Sequence, residues 1–166
     1  MTIDADGFKR ALGQFASGVT IVTSRDERGE PVGLTVSAFC SVSLEPPLVL
    51  VCVDERSSAV AAIGESGRFG VSLLAEHQED ISNRFARPGN DKFAGLKLIQ
   101  SPSGTMLIPE ALAQLDCRLV TPHVAGDHTL FVGEVEYLDV SPGCPLLYHA
   151  AGYRRLEPDR ESADSK

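Results

Sequence analysis

The stretch GLTVSAFCSVSLEPPLVLVCVDERSS, residues 33–58, changes character three times. Gly33 to Val36 begins as an apolar, β-branched strand, but from Ser37 to Ser43 clean alternation gives way to small hydroxyl residues. Pro46-Pro47 cannot donate to a sheet ladder and so punctuates the chain. Leu48-Val49-Leu50-Val51-Cys52-Val53 is then apolar throughout, the pattern of a buried central strand. Asp54-Glu55-Arg56-Ser57-Ser58 follows, and Ser57 or Ser58 can cap a short helix carrying Val60, Ala61, Ala62 and Ile63, with Gly64 and Gly67 at its exit.

Upstream of this stretch, Asp6 can cap a helix in which Phe8, Ala11, Leu12 and Phe15 form one apolar face, ending near Ser17-Gly18. Val19 to Thr23 pairs through the polar turn Asp26 to Glu30 with Val32 to Val36 as a hairpin. Downstream, Phe69 to Leu74 is a strand, and Glu76 to Phe85 an amphipathic helix stopped by Pro88-Gly89-Asn90. Arg84 to Gly95 is irregular. Leu115 to Val120 and His128 to Val140 form a long antiparallel pair around Ala125-Gly126-Asp127, and Pro145 to His149 is a last short strand. Roughly seven strands and two or three helices, with little helix between consecutive strands, favour an antiparallel barrel over a parallel βαβ sheet. One domain spans 1–156, and 157–166 is expected to be a charged, flexible tail.

With 166 residues, 43% of them hydrophobic, the chain can bury one core. A net charge of -8 argues against a phosphate-backbone partner, although a few local donors can still hold a small anion. The acidic opening and the lack of a long apolar run predict a cytoplasmic protein without a membrane segment. Cys40, Cys52, Cys117 and Cys144 lack C-x-x-C spacing and read as free thiols, mostly buried, and the four histidines are scattered, so no metal is expected. No hydrolase, zincin or Walker signature occurs.

Four segments could carry chemistry. Residues 33–44 could offer a flat ligand backbone groups and close approach, or could be a bulged strand without a ligand. Asp54 to Ser58 joins free N–H groups, hydroxyls and a guanidinium, a phosphate seat or an ordinary cap. Arg84-Phe85 and Lys92-Phe93 interleave cations and rings in a segment that could close over a phosphate or lie in solvent. His128 opens a strand after a tight turn, where it could donate to a ligand or simply end the turn.

Taken in order, residues 8–23, residues 33–53 with Ser43-Leu44-Glu45-Pro46-Pro47-Leu48-Val49, Asp91-Lys92-Phe93-Ala94-Gly95, Gly126-Asp127-His128 and Leu146-Leu147-Tyr148 resemble the flavin reductase family. Members are reductase components of two-component flavin-dependent monooxygenases. The resemblance implies a mostly β fold, an antiparallel Greek-key split β-barrel of the FMN-binding type with two or three peripheral helices. It implies that Thr35, Val36, Ser37, Ala38, Phe39 and Ser41 line the isoalloxazine, that Asp54, Ser57 and Ser58 follow the ribityl-phosphate, and that Arg84, Lys92 and Phe93 complete the site. His128 would be the catalytic residue and, with Tyr153 and Arg154, would face the nicotinamide, although Ala150-Ala151-Gly152 stands where a more glycine-rich turn is expected. The implied reaction is hydride transfer from NADH or NADPH to FMN or FAD, by a homodimer that supplies reduced flavin to a monooxygenase through diffusion or transient contact. A flavin carrier or redox sensor without turnover is the alternative on the same fold. FMN and FAD are equally compatible with these residues, as are NADH and NADPH.

Overall fold

In the computed structural model, which describes residues 2–89 and 92–157, every residue range rich in β-branched side chains pairs antiparallel with a neighbour. The elements run α1 (Ala5–Leu12), β1 (Ser17–Gly18), β2 (Thr20–Arg25), β3 (Pro31–Val36), β4 (Phe39–Leu44), β5 (Pro47–Asp54), α2 (Ser58–Ser66), β6 (Arg68–Leu73), α3 (Glu79–Ala86), β7 (Ile99–Gln100), β8 (Met106–Leu107), β9 (Ala113–Ala125), β10 (His128–Val140), β11 (Leu147–His149) and β12 (Gly152–Arg154). Seven strands form one sheet in the order β3-β2-β6-β9-β10-β5-β4. Its two ends, β3 and β4, are neighbours in sequence, joined only by Ser37 and Ala38. The sheet therefore curls around its core and stays open at this seam, which makes it a split barrel with three helices outside.

The core explains the curl. Val22, Val51, Val53, Phe69, Val71 and Phe131 are buried together from four strands, and Ile63 of α2 caps them. Ser57 is the α2 N-cap, its hydroxyl oxygen accepting from Ala59 N at 3.3 Å, and Gly67 ends the helix in the left-handed region at φ 66°. A second cluster of Val19, Ile21, Leu74, Phe85, Ile108 and Leu146 holds α3 and the β11–β12 hairpin to the barrel.

Several expectations change. The first helix is capped by Asp4, not Asp6, and it stops at Leu12, with Gly13 as a C-cap still in the right-handed region at φ -62°. Phe8 and Leu12 remain 54% and 58% exposed, Phe15 lies beyond the helix at 80%, and α1 buries nothing in this chain. The apolar run in β5 is not a central strand buried on both faces; it is second from the sheet edge, with Val49, Val51 and Val53 buried and Leu48, Leu50 and Cys52 half-buried. The cysteines are free, but only Cys117 is buried, while Cys40 and Cys144 are exposed. Burial pushes the Cys117 thiol up to about 12. The expected tail falls almost wholly on 158–166, outside the described residues.

Asp116, 1% exposed on β9, pins the 101–105 loop. It accepts from Ser101 at 2.7 Å, Thr105 at 2.8 Å, Arg68 at 3.0 Å, and Ser103. Burial alone would raise its pKa, but the hydroxyl donors and Arg68 together hold it below the usual carboxylate value. A depressed folded-state value contributes stability that is complete above the unfolded carboxylate range of roughly 3.9 and is lost as pH falls through the lower folded value. Asp116→Ala strands these donors and should cost about 3 kcal/mol, read as a lower urea midpoint at pH 7. That deficit should shrink towards zero in acid.

The β11–β12 turn is unusual. Ala150 and Ala151 both occupy the left-handed region, at φ 48° and 59°, where a Cβ is disfavoured. Ala150 N donates to Gly13 O at 2.9 Å, tying the turn to the end of α1. Replacing Ala150 by Asn and Ala151 by Gly should stabilise the chain by about 1 kcal/mol and raise Tm by about 2–4 °C in calorimetry.

Candidate functional site at the seam

The seam gathers most of the candidate residues, for different physical reasons. Ser37, Ala38 and Ser41 are exposed along it. Val36 turns its side chain into the core, so only its main chain faces outward contacts, and its carbonyl already accepts from Thr20 at 2.8 Å. Thr35 donates to Ser82 O at 2.6 Å, fastening β3 to α3. Phe39 is half-buried against the core. Ser37 and Phe39 also border an apolar cavity of about 340 Å³ with Phe15, Val19, Leu74 and Leu146.

On the α3 side of the seam, Gly33 is decisive. A Cβ there would lie 2.8 Å from the Phe85 ring and 2.9 Å from the Phe93 ring, which meet edge to face at 4.9 Å. With no Cβ in the way, the ring pair lies directly on β3, and the Lys92 ammonium donates to Gly33 O and Phe85 O, both at 3.1 Å. An ammonium has three donors, so one remains for a ligand. Burial lowers the Lys92 pKa from the ordinary lysine value.

Lys92 borders two adjoining cavities. One, about 600 Å³, is lined by Asp80, Asn83, Arg84, Arg87 and Lys92. Arg84 there also donates to Ala94 O. The other, about 630 Å³, brings Ser58 of α2, Val32 and Gly33 of β3, and Lys92 with Phe93 around one cleft. Ser58, Lys92 and Phe93, distant in sequence, thus meet. Asp91 of the same motif lies outside the described residues.

The β5–α2 turn is arranged differently from a bare phosphate seat. Arg56 grips Asp54 with Nε at 3.0 Å and Nη2 at 2.6 Å, and its main-chain N–H adds a third bond at 2.9 Å. These bonds hold the Asp54 carboxyl far below its usual range, and they commit the guanidinium to Asp54. Ser57 and Ser58 remain as the hydroxyl groups at the α2 start.

His128 is the first residue of β10 and pairs with Asp54 of β5. Its Nδ1 lies 2.7 Å from Asp127 Oδ1, and this bond lowers the Asp127 pKa. With Nδ1 so engaged, Nε2 is the nitrogen left for a ligand. Tyr153 belongs to another neighbourhood. Its hydroxyl bonds Ser82 at 2.8 Å and Asn83 at 3.2 Å on α3, while Arg154 reaches back to Tyr153 O at 2.8 Å. His128 therefore hangs on the β5–α2 turn, and Tyr153 with Arg154 on α3. Gly33 and Phe85 lay within the candidate segments of the sequence but without the packing role the structure gives them, and Ser82 was passed over; a glycine inside a strand pattern was the available signal for the close approach.

Among the described residues, no group of three or more His, Cys, Asp or Glu is placed to hold a metal, and no helix is long and apolar enough to cross a membrane.

The flavin reductase like domain family matches residues 12–157. The chain belongs to this family. It is 43% identical to the reductase subunit HsaB of a flavin-dependent monooxygenase from Rhodococcus jostii, over 95% of this chain and 81% of the relative. It is also 43% identical to an NADH-dependent flavin reductase from a Rhodococcus species, over 90% of this chain and 85% of that one. Among solved structures, the NADH:FAD oxidoreductase SgcE6 of Streptomyces globisporus, in complex with NAD and FAD fragments, superposes with a TM-score of 0.89 at 34% identity, covering 97% of this chain and 99% of that chain. A family match over this range fits the open seam and the residues gathered along it.

Gly33→Ala tests how the seam is built. The added methyl must push the Phe85–Phe93 pair and Lys92 off β3, an overpacking cost of about 1–3 kcal/mol. Flavin affinity measured by fluorescence quenching should fall roughly tenfold or more, since 1.4 kcal/mol is a factor of ten. Unchanged affinity would show that the Lys92 position is irrelevant to the ligand.

Proposed function

We infer that the chain is an NAD(P)H-dependent flavin reductase that supplies reduced FMN or FAD to a separate flavin-dependent monooxygenase. The observation that carries this reading is the convergence of Ser58, Lys92 and Phe93 on one cleft beside the open seam, in a chain of the flavin reductase family. The donor set suits a flavin: small exposed residues for close approach to a ring, a spare ammonium donor and serine hydroxyls for a phosphate, and aromatic and apolar walls. The nicotinamide supplies the hydride and the flavin accepts it, so the protein needs no nucleophile.

The chain's own groups then have distinct tasks. Ser37, Ala38 and Ser41 let the ring approach the main chain, with Thr35 and Val36 holding β3 in place behind it and Phe39 supplying apolar contact. Ser57, Ser58 and Lys92 bind the phosphate, Arg84 adds positive charge, and Asp54 orders the β5–α2 turn through Arg56. His128 contacts the nicotinamide carboxamide through Nε2, which accepts from the amide N–H while Nδ1–H is held by Asp127, or eases proton delivery to the flavin. Tyr153 and Arg154 border the nicotinamide from the α3 side, where Tyr153 is already held by Ser82.

The same reading makes the protein a cytoplasmic homodimer. The exposed apolar groups of α1, together with Val42 and Leu44 at the open edge of the sheet, supply surface for a second copy. Sedimentation analysis should return twice the chain mass.

Purified protein mixed with flavin and NADH or NADPH should consume nicotinamide well above the free-flavin rate, followed at the nicotinamide absorbance band. Flavin binding without turnover would instead mark a carrier or sensor, and neither binding nor turnover would end the reading. His128→Ala should lower kcat on the order of tenfold to a hundredfold, below the ceiling for general acid–base groups, while flavin affinity changes by less than about twofold. Equal loss of both would contradict the role given to His128.

A further inference from the structure

Ser82 on α3 is 0% exposed, so water cannot replace a bond that its hydroxyl loses. Its two polar ends serve opposite walls of the seam. The carbonyl accepts from the Thr35 hydroxyl at 2.6 Å, on β3, two residues before the exposed Ser37. The hydroxyl lies 2.8 Å from the Tyr153 hydroxyl on β12. Tyr153 donates in turn to Asn83 Oδ1 at 3.2 Å, so its oxygen is the acceptor and Ser82 the donor in the bond between them.

The strand that carries Tyr153 has little else to locate it. β12 is three residues long and ends a separate sheet, in the order β1-β11-β12, while Thr35 belongs to the seven-stranded sheet. Main-chain bonds from Val19 N to Leu146 O at 3.1 Å and from Leu146 N to Leu74 O at 3.0 Å tie the base of the hairpin to the barrel, and Ala150 N ties its turn to Gly13 O. These bonds hold the β11 side. On the β12 side, the Tyr153 hydroxyl supplies the tie to α3. One buried serine therefore links the strand that faces the flavin to the strand that faces the nicotinamide.

We propose that Ser82 is a positioning residue for hydride transfer, setting the gap between the two walls through Thr35 and Tyr153 without touching either ring. The proposal rests on the flavin reductase reading and adds to it a residue that neither a sequence motif nor a cavity wall marks. Transfer between stacked rings is sensitive to such a gap, since a misplacement of about 1 Å can cost on the order of a hundredfold in rate.

Ser82→Ala removes the donor to Tyr153 and keeps the carbonyl that Thr35 uses, so only the β12 wall is released. It should lower kcat about tenfold and leave flavin affinity, read by fluorescence titration, within about twofold. In the flavin-free chain, amide hydrogen exchange at Tyr153 and Arg154 should quicken about tenfold while exchange in β3 stays as in the wild type. Tyr153→Phe cuts the same bond from a half-buried position and keeps the proposal testable where Ser82→Ala does not fold. The double variant should match Tyr153→Phe alone, because the Ser82 hydroxyl acts only through Tyr153. A lower Tm with kcat and β12 exchange unchanged would mark a purely structural serine and overturn the proposal, as would additive losses in the double variant or a flavin affinity that falls together with kcat. A wild-type chain that oxidises neither NADH nor NADPH in the presence of flavin would instead overturn the flavin reductase reading itself.

Discussion

The contact between the Lys92 ammonium and the Gly33 carbonyl depends on an atom that is not there. Any side chain at Gly33 would meet the rings of Phe85 and Phe93 inside van der Waals distance, and without the ring pair on β3 the lysine could not reach the strand. The contact joins β3, α3 and the segment after α3 at one point. Burial of the ammonium there carries a desolvation cost, which two carbonyl acceptors offset and which an anion would offset further. A partly buried cation with one donor left over, beside serine hydroxyls, is the physical reason to place a phosphate at this end of the seam.

The seam follows from topology. β3 and β4 end the sheet on opposite sides, yet only two residues separate them, so the chain must cross the opening there. Main-chain groups along Ser37 to Ser41 are left without a full set of strand partners, and small side chains keep them accessible. Rigid flanks make such an opening usable. Thr35 is tied to Ser82, Ser82 to Tyr153, and the β11–β12 turn to Gly13, so the α3 side of the opening is braced from the C-terminal hairpin. On the other side the Asp54–Arg56 grip and the Glu55 N to Asp127 O bond of 3.0 Å brace the turn that presents His128. Hydride transfer needs two rings held face to face, and two braced walls across a gap meet that need.

Much of this was legible in the sequence because it is local. The strand His128 to Val140 was read to the residue, since Ala125-Gly126-Asp127 announces the turn and β-branched residues follow. Ser57 was one of two residues offered as the α2 cap, because a hydroxyl before an apolar helix has few other uses. Misreadings occurred where distant groups decide. Phe15 continues the i, i+7 pattern of α1, but Gly13 ends the helix first. β12 went unseen because two alanines in left-handed conformation give no turn signal, and contact with Gly13 O helps hold them there. α3 begins at Glu79 and not Glu76 because the Gln78 side chain accepts from Ala75 N at 3.0 Å and donates to Pro109 O at 2.8 Å. The role of Gly33 depends on rings more than fifty residues away, beyond the reach of any periodicity.

The central claim is spatial: one flavin lies along the seam with its phosphate at Lys92 and the α2 start. A crystal structure of the chain grown with flavin tests it most directly. The account predicts phosphate oxygens within about 3 Å of Lys92 Nζ and of a Ser57 or Ser58 hydroxyl, with the isoalloxazine beside Ser37 to Ser41. A flavin ordered elsewhere, with Lys92 still bonded only to Gly33 and Phe85, would contradict it.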